Sequence, residues 1–165
     1  MLRLAYYGGM CYLYRRLMNT SLEKTLVMVR EEELPILPAP EMVSLLAGEL
    51  AAFAGFDAVA VEASACMREE SESTYVGRGM AVPHARVAGL SRAAVYVARS
   101  RTGISWGEGV AHLVVFTAAP EEHPELYLQM LAAATRWRMR FPGGEEALLA
   151  ASPAELLSGL QAVFA

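Results

Sequence analysis

No stretch of the 165-residue chain stays apolar for the roughly 18–20 residues that a bilayer-spanning helix needs, so a transmembrane reading fails on length. Cysteine is scarce: Cys11 and Cys66 stand far apart, form no metal-binding or redox spacing, and fit a reducing cytoplasm. The start of the chain mixes Arg3, Arg15 and Arg16 with Leu, Tyr and Met. It lacks a clean apolar run and a small-residue cleavage site, which argues against secretion. No repeat or low-complexity tract is present. Nor is there a basic stripe of the kind that binds nucleic acid. Residues 1–30 carry five basic side chains against Glu23, a balance of +4, which leaves −8 for the remainder of a chain whose total is −4. The basic start suits a solvated helix face, or contact with an acidic partner or membrane surface.

The length allows one compact domain with a proper core. Pro35, Pro38 and Pro40 punctuate the chain. We read residues 1–33 as an N-terminal extension of unknown role and 34–165 as the folded domain, opening with a short edge strand at residues 34–37. Met42, Leu45, Leu46, Leu50 and Phe53 recur at helical spacing and stop at Gly55. Asp57 is a cap for a second helix reaching about Arg68, with Val59, Val61, Ala65 and Cys66 toward its buried side.

Apolar runs at residues 80–82, 93–98 and 113–116 predict three strands, the last two forming a hairpin that turns between Gly103 and Gly107. Leu126, Leu128, Leu131 and Ala134 mark a third helix, and two closing helices follow Pro142-Gly143-Gly144. The last of these opens with a Ser152–Glu155 capping box. The predicted order is strand-helix-helix-strand-strand-strand-helix-helix-helix.

The chemistry concentrates in residues 68–86. Arg68, Glu69, Ser73, Thr74, Gly77 and Gly79 precede Val82-Pro83-His84, so one local excursion gathers a guanidinium, two hydroxyls, two glycines and an imidazole. An imidazole with a pKa of about 6.5 is largely neutral at cytoplasmic pH and keeps a nitrogen lone pair that can attack phosphorus. Such a transfer needs positive charge and donors around the phosphoryl oxygens. Arg68 supplies a forked cation, while Ser73, Thr74 and the backbone near Gly77 and Gly79 offer further donors. Each part alone is commonplace, and an isolated Pro-His is ordinarily a loop or strand-end histidine.

Together these residues resemble the signature of type-2 enzyme IIA of the bacterial sugar phosphotransferase system, the mannitol/fructose/nitrogen-regulatory family. That signature is an Arg-Glu pair, a Ser-Thr pair and Gly-x-Gly ahead of a Pro-His whose histidine is phosphorylated. The likeness runs over residues 34–163. It takes in Leu113-Val114-Val115-Phe116 with Ala119-Pro120, and the closing Leu148-Leu149 and Glu155-Leu156-Leu157. It implies an α/β fold, three-layer α/β/α with a mixed sheet. It also implies a phosphoryl-carrier role in which His84 receives phosphate from HPr or a paralogue, with Arg68 beside it, and passes it to an enzyme IIB or uses it to control a regulated protein. No cofactor or metal is implied.

The chain departs from the family at one point. Where members often carry a second histidine in a His-Leu pair, this chain has Tyr127-Leu128, so Tyr127 is expected to pack against the site or offer its hydroxyl. His123, four residues earlier, reaches the site as a second histidine only if the loop folds back. The tyrosine raises the alternative of a regulatory or protein-interaction module of the same fold that does not transfer phosphate. His112 reads as a structural strand histidine, and zinc binding by His84, His112 and His123 lacks any supporting spacing. Arg136, Arg138 and Arg140 suit a helix C-terminus, and Arg78 and Arg86 either widen the field at His84 or face solvent.

Overall fold

The computed structural model describes residues 3–7, 10–16 and 25–164. The rest of the basic start, including part of the segment weighed above as a signal, lies outside them. In chain order the elements are β1 (Arg3–Tyr7), β2 (Met10–Arg16), β3 (Leu26–Arg30), α1 (Ala39–Ala54), α2 (Ala58–Ser71), β4 (Tyr75–Gly77), β5 (Met80–Ala81), β6 (His84–Val87), β7 (Ala94–Trp106), β8 (Gly109–Pro120), α3 (Pro124–Arg140), α4 (Gly144–Ala150) and α5 (Pro153–Phe164). None of the described helices is long and apolar enough to cross a membrane.

The sheet follows the path β1-β2-β3-β7-β8-β5-β4, and β6 also pairs with β8. It is mixed: β3–β7, β5–β8 and β6–β8 run parallel, the other pairs antiparallel. Both faces are covered, so the central strands are apolar on both sides. Met28, Ala94, Tyr96, Ala98, Val114 and Phe116 pack toward α1 and α2. Val27, Val29, Val95, Val97, Leu113 and Val115 pack toward α3, α4 and α5. The result is a three-layer α/β/α domain.

Several expectations need correction. Residues 34–37 form no strand. Leu34 donates its N–H to the Arg99 carbonyl at 2.8 Å, but Pro35 and Pro38 have no N–H with which to continue a ladder. The strand that enters the core here is β3, fully buried and paired with β7, so part of the 1–33 segment belongs to the sheet. Arg30, counted with the solvated basic residues, is buried: its guanidinium donates to the Glu33 carbonyl at 2.6 Å and pairs with Glu49 at 3.4 Å. The hairpin turns at residues 107–108, and the region near Gly103 is an irregularity in the ladder. Five strands, not three, lie between α2 and α3, because the region at residues 75–87 breaks into β4, β5 and β6. Val59 is 77% exposed on α2, whereas Val61 and Ala65 are buried as expected.

Helix boundaries follow local chemistry. Gly55 ends α1 in the left-handed conformation. The Asp57 carboxylate accepts from the Val59 and Ala60 N–H groups at 3.0 and 3.2 Å, and Ser152 and Glu155 form the reciprocal box that opens α5. Asp57→Ala is therefore expected to lower the unfolding free energy by about 1 kcal/mol with an unchanged denaturant slope, measured by urea titration. An unaltered midpoint would show that the cap contributes nothing.

Candidate functional site

Pro83 interrupts the outer ladder of β8. β5 ends at Ala81, β6 begins at His84, and between them Pro83 has no N–H to give, though its carbonyl still accepts from Thr117 N at 3.1 Å. His84 therefore starts a strand of its own, beyond the one predicted at residues 80–82. It pairs with Thr117 and sits on the sheet face toward α3. There the Tyr127 ring stacks on it, with ring centroids 4.1 Å apart and planes 28° apart.

The imidazole is 6% exposed, and it lines a cleft of about 560 Å³ with Ser64, Met67, Arg68, Ser71, Arg86 and Glu121. Its Nδ1 lies 3.1 Å from the Val82 carbonyl oxygen. A carbonyl can only accept, so Nδ1 carries the proton and Nε2 keeps the lone pair. Burial is the main cause that holds the His84 pKa below 6.5. The Val82 hydrogen bond works against it, and the Arg68 and Arg86 charges add to the lowering. Burial likewise raises the Tyr127 pKa, so the phenol stays neutral at ordinary pH.

α2 supplies most of the cleft wall. Ser64, Met67, Arg68 and Ser71 recur at three- and four-residue spacing and share one helix face. Ser64 ties that face to β6, accepting from Arg86 N and donating to Arg86 O, each at 3.0 Å. Arg68 donates to the Glu72 carbonyl at 2.7 Å and is 34% exposed on its side chain. Arg86 is exposed and lines the cleft, whereas Arg78 lies in the β4–β5 turn, where Arg138 donates to its carbonyl.

The structure brings Arg68, His84 and Tyr127 together, and leaves Ser73, Thr74, Gly77, Gly79 and His123 outside the cleft lining. Thr74 is buried; its hydroxyl donates to Glu69, and its N–H donates to the same carboxylate at 3.1 Å. Trp106 Nε1 donates to Glu69 at 2.8 Å, so Glu69 pins the loop after α2 to the β7–β8 hairpin. Ser73 Oγ accepts from Tyr75 N at 3.2 Å. Gly77 and Gly79 serve the β4–β5 turn: Arg78 and Gly79 form a two-residue turn with φ of 51° and 73°, the primed geometry that favours glycine. Gly79 abuts His112 on β8, five positions from Thr117 and so roughly 16 Å along the strand from the level of His84. His123 stands at the N-terminal boundary of α3 without a side-chain capping bond, its ring 3.1 Å from Glu125 and facing solvent, and His112 is held by the Ser100 carbonyl at 3.0 Å.

Sequence reasoning missed Ser64, Met67, Ser71 and Glu121. Helical spacing around Arg68 points to the first three. Glu121 gives no such signal, because its nearness to His84 comes from the pairing of β6 with the end of β8.

Fold and site together define a three-layer α/β/α domain with one histidine set in a cationic cleft. Residues 45–162 match the family described as phosphoenolpyruvate-dependent sugar phosphotransferase system, EIIA 2, and the chain belongs to that family. It is 33% identical over 105 residues to the PTS system fructose-specific EIIABC component of Bacillus subtilis (strain 168). That match takes in 61% of this chain and 16% of the relative's length. The fold is similar to that of nitrogen regulatory protein IIA-Ntr from Neisseria meningitidis (TM-score 0.68, 21% identical, covering 81% of this chain and 92% of that one). It is also similar to IIA mannitol from Escherichia coli (TM-score 0.64, 23% identical, 78% and 92%). The latter has also been solved in complex with phosphorylated enzyme IIBMTL (TM-score 0.53, 23% identical, 77% and 92%).

The lowered His84 pKa has a signed consequence. The folded protein takes up this proton later than the unfolded chain, so stability is expected to fall as pH drops from about 6.5 through the lower folded-state midpoint. Ring titration by NMR should place the His84 midpoint below 6.5, and Arg68→Ala should move it upward by removing a like charge. A midpoint indifferent to Arg68 would place the guanidinium out of electrostatic reach.

Proposed function

We propose that the chain is a phosphoryl carrier whose acceptor is His84. The observation that carries this reading is the Nδ1–H bond to the Val82 carbonyl, which leaves Nε2 as the nucleophilic nitrogen of a ring bordering a cleft with two guanidiniums. The Nε2 lone pair attacks the phosphorus of a donor phosphohistidine on HPr or a paralogue. As the new N–P bond forms, the donor's N–P bond breaks and its electron pair returns to the donor ring. Arg68 and Arg86 offset the charge on the transferring oxygens, and the Tyr127 ring fixes the plane of the imidazole so that the lone pair is already aimed. Onward transfer goes to an enzyme IIB, as the complex solved for the mannitol relative suggests, or the phosphorylated state acts as a signal to a regulated protein. We place this chemistry in the cytoplasm, where the phosphohistidine donor is found.

One observation favours a second reading. The ring against His84 belongs to a tyrosine, which is neutral and takes no part in proton exchange near neutral pH. That suits a module of this fold that binds partners without passing phosphate on.

Incubation with phosphoenolpyruvate, enzyme I and HPr is expected to label the wild-type chain and leave His84→Ala unlabelled. Arg68→Ala should slow labelling by about ten- to a hundredfold, the worth of one charge-assisted contact to the transferring group, while the thermal midpoint stays near the wild-type value because the Arg68–Glu72 pair is partly exposed. An unlabelled wild type would favour the non-transferring reading, and a labelled His84→Ala would move the phosphate to another residue.

A further inference from the structure

The outward face of α3 is apolar where a surface helix is ordinarily polar. The helix buries Leu126, Met130, Ala133, Ala134 and Trp137 against the rest of the domain. On the opposite side Leu128, Ala132, Thr135 and Met139 recur at spacings of four, three and four residues, and so form one stripe along the helix. Leu128 is 61% and Met139 64% exposed, and Ala132 is exposed between them. Thr135 is half-buried, and its hydroxyl already donates to the Leu131 carbonyl at 3.0 Å, so it asks for no polar partner. Single exposed apolar residues need no explanation. A row of them on one helix face marks a contact surface.

Charge runs along one edge of this stripe and changes sign from end to end. Glu125 stands near the start of α3, Arg136 and Arg140 near its end, and all three are exposed. The helical step of roughly 100° per residue turns them to the same side of the stripe. The two arginines meet no carboxylate among the described residues, whereas Arg138, on the other edge, pairs with Glu145 at 2.8 Å. Glu125 meets the His123 ring at 3.1 Å and no arginine or lysine among the described residues. The helix dipole favours acids first and bases last. It does not favour one edge over the other, and it does not account for the apolar row between the charges.

A surface that is acidic at one end, basic at the other and apolar between is complementary to itself when turned around. Two copies of α3 related by a two-fold axis lie antiparallel, and each edge of the stripe then meets the same edge of the other copy. One register satisfies the apolar and the charged residues together. Leu128 fits between Thr135 and Met139 of the second copy. The two Ala132 side chains meet at the axis, where their small size lets the helices approach, and Glu125 comes level with Arg140. Contact along a helix of 17 residues, about 25 Å, is at the small end of specific interfaces, so the pair is weak and reversible.

We propose that the exposed stripe of α3 is a self-association surface on which a second copy of this chain docks antiparallel, with Leu128 in the gap between Thr135 and Met139 and Glu125 against Arg140. This surface stands apart from the phosphoryl-carrier reading, because none of these side chains lines the His84 cleft.

Sedimentation equilibrium of the full chain from about 5 µM to about 1 mM is expected to show the mass rising from the 17.9 kDa monomer toward twice that value, with a midpoint on the order of 100 µM. Ala132→Glu sets two carboxylates face to face at the axis. It should keep the chain monomeric throughout, with a thermal midpoint near the wild-type value because the position is exposed. Glu125→Arg and Arg140→Glu should each weaken association about tenfold, since each brings like charges together twice in the symmetric pair. Mixed in equal amounts, these two variants should associate to within about twofold of wild type, because in the mixed pair each arginine again faces a glutamate. A wild-type chain that stays monomeric to about 1 mM overturns the proposal and leaves the stripe to a different partner. Dimerisation of Ala132→Glu would also overturn it, by placing the contact elsewhere. So would a mixture that fails to restore association, since antiparallel pairing with like edges facing is what brings residue 125 to residue 140.

Discussion

The outer side of β8 is shared by two short parallel strands, β5 at Leu113 and Val114 and β6 from Thr117 to Pro120, and the site depends on the gap between them. Pro83 lies in that gap. Its missing N–H removes one bond from the ladder, and pairing resumes at His84 in the same register, with the Val82 carbonyl accepting from the ring. The Tyr127 stack, the nucleophilic Nε2 and the lowered pKa all follow from this placement.

Division of labour between the two faces of α2 is the next consequence. Ser64, Met67, Arg68 and Ser71 line the cleft, while Glu69, one residue after Arg68, turns toward Thr74 and Trp106. The Arg-Glu pair in the sequence is thus one charge for the site and one for the scaffold. A carboxylate accepting three hydrogen bonds holds the loop after α2 against the long hairpin, which in turn holds the end of α2 and its guanidinium in place. The hydroxyl of Thr74 serves this anchoring.

Membership of the EIIA 2 family and the fold shared with IIA-Ntr and IIA mannitol rest on the same core that the strands and helices build here. Tyr127 sets the chemistry beside the imidazole. An aromatic ring in van der Waals contact with the imidazole still orients it, but a neutral phenol does not exchange protons near pH 7 as a second imidazole would. The site therefore depends on Arg68 and Arg86 for its charge.

Sequence alone determined the family, the class of fold, the amphipathic helices with their Asp57 and Ser152 caps, and the pairing of Arg68 with His84 in one region. These are short-range facts, carried by periodicity, by caps that bond within three residues, and by a motif whose parts are close in the chain. The tertiary structure alone decided that residues 26–30 supply a core strand, that Thr74 serves Glu69, that Gly79 makes a turn far from His84, and that of the two parts expected of Tyr127 it stacks its ring on the imidazole. Each depends on which strand lies beside which. A side chain's direction in a sheet reverses with every residue of register, and register is set by partners distant in the chain.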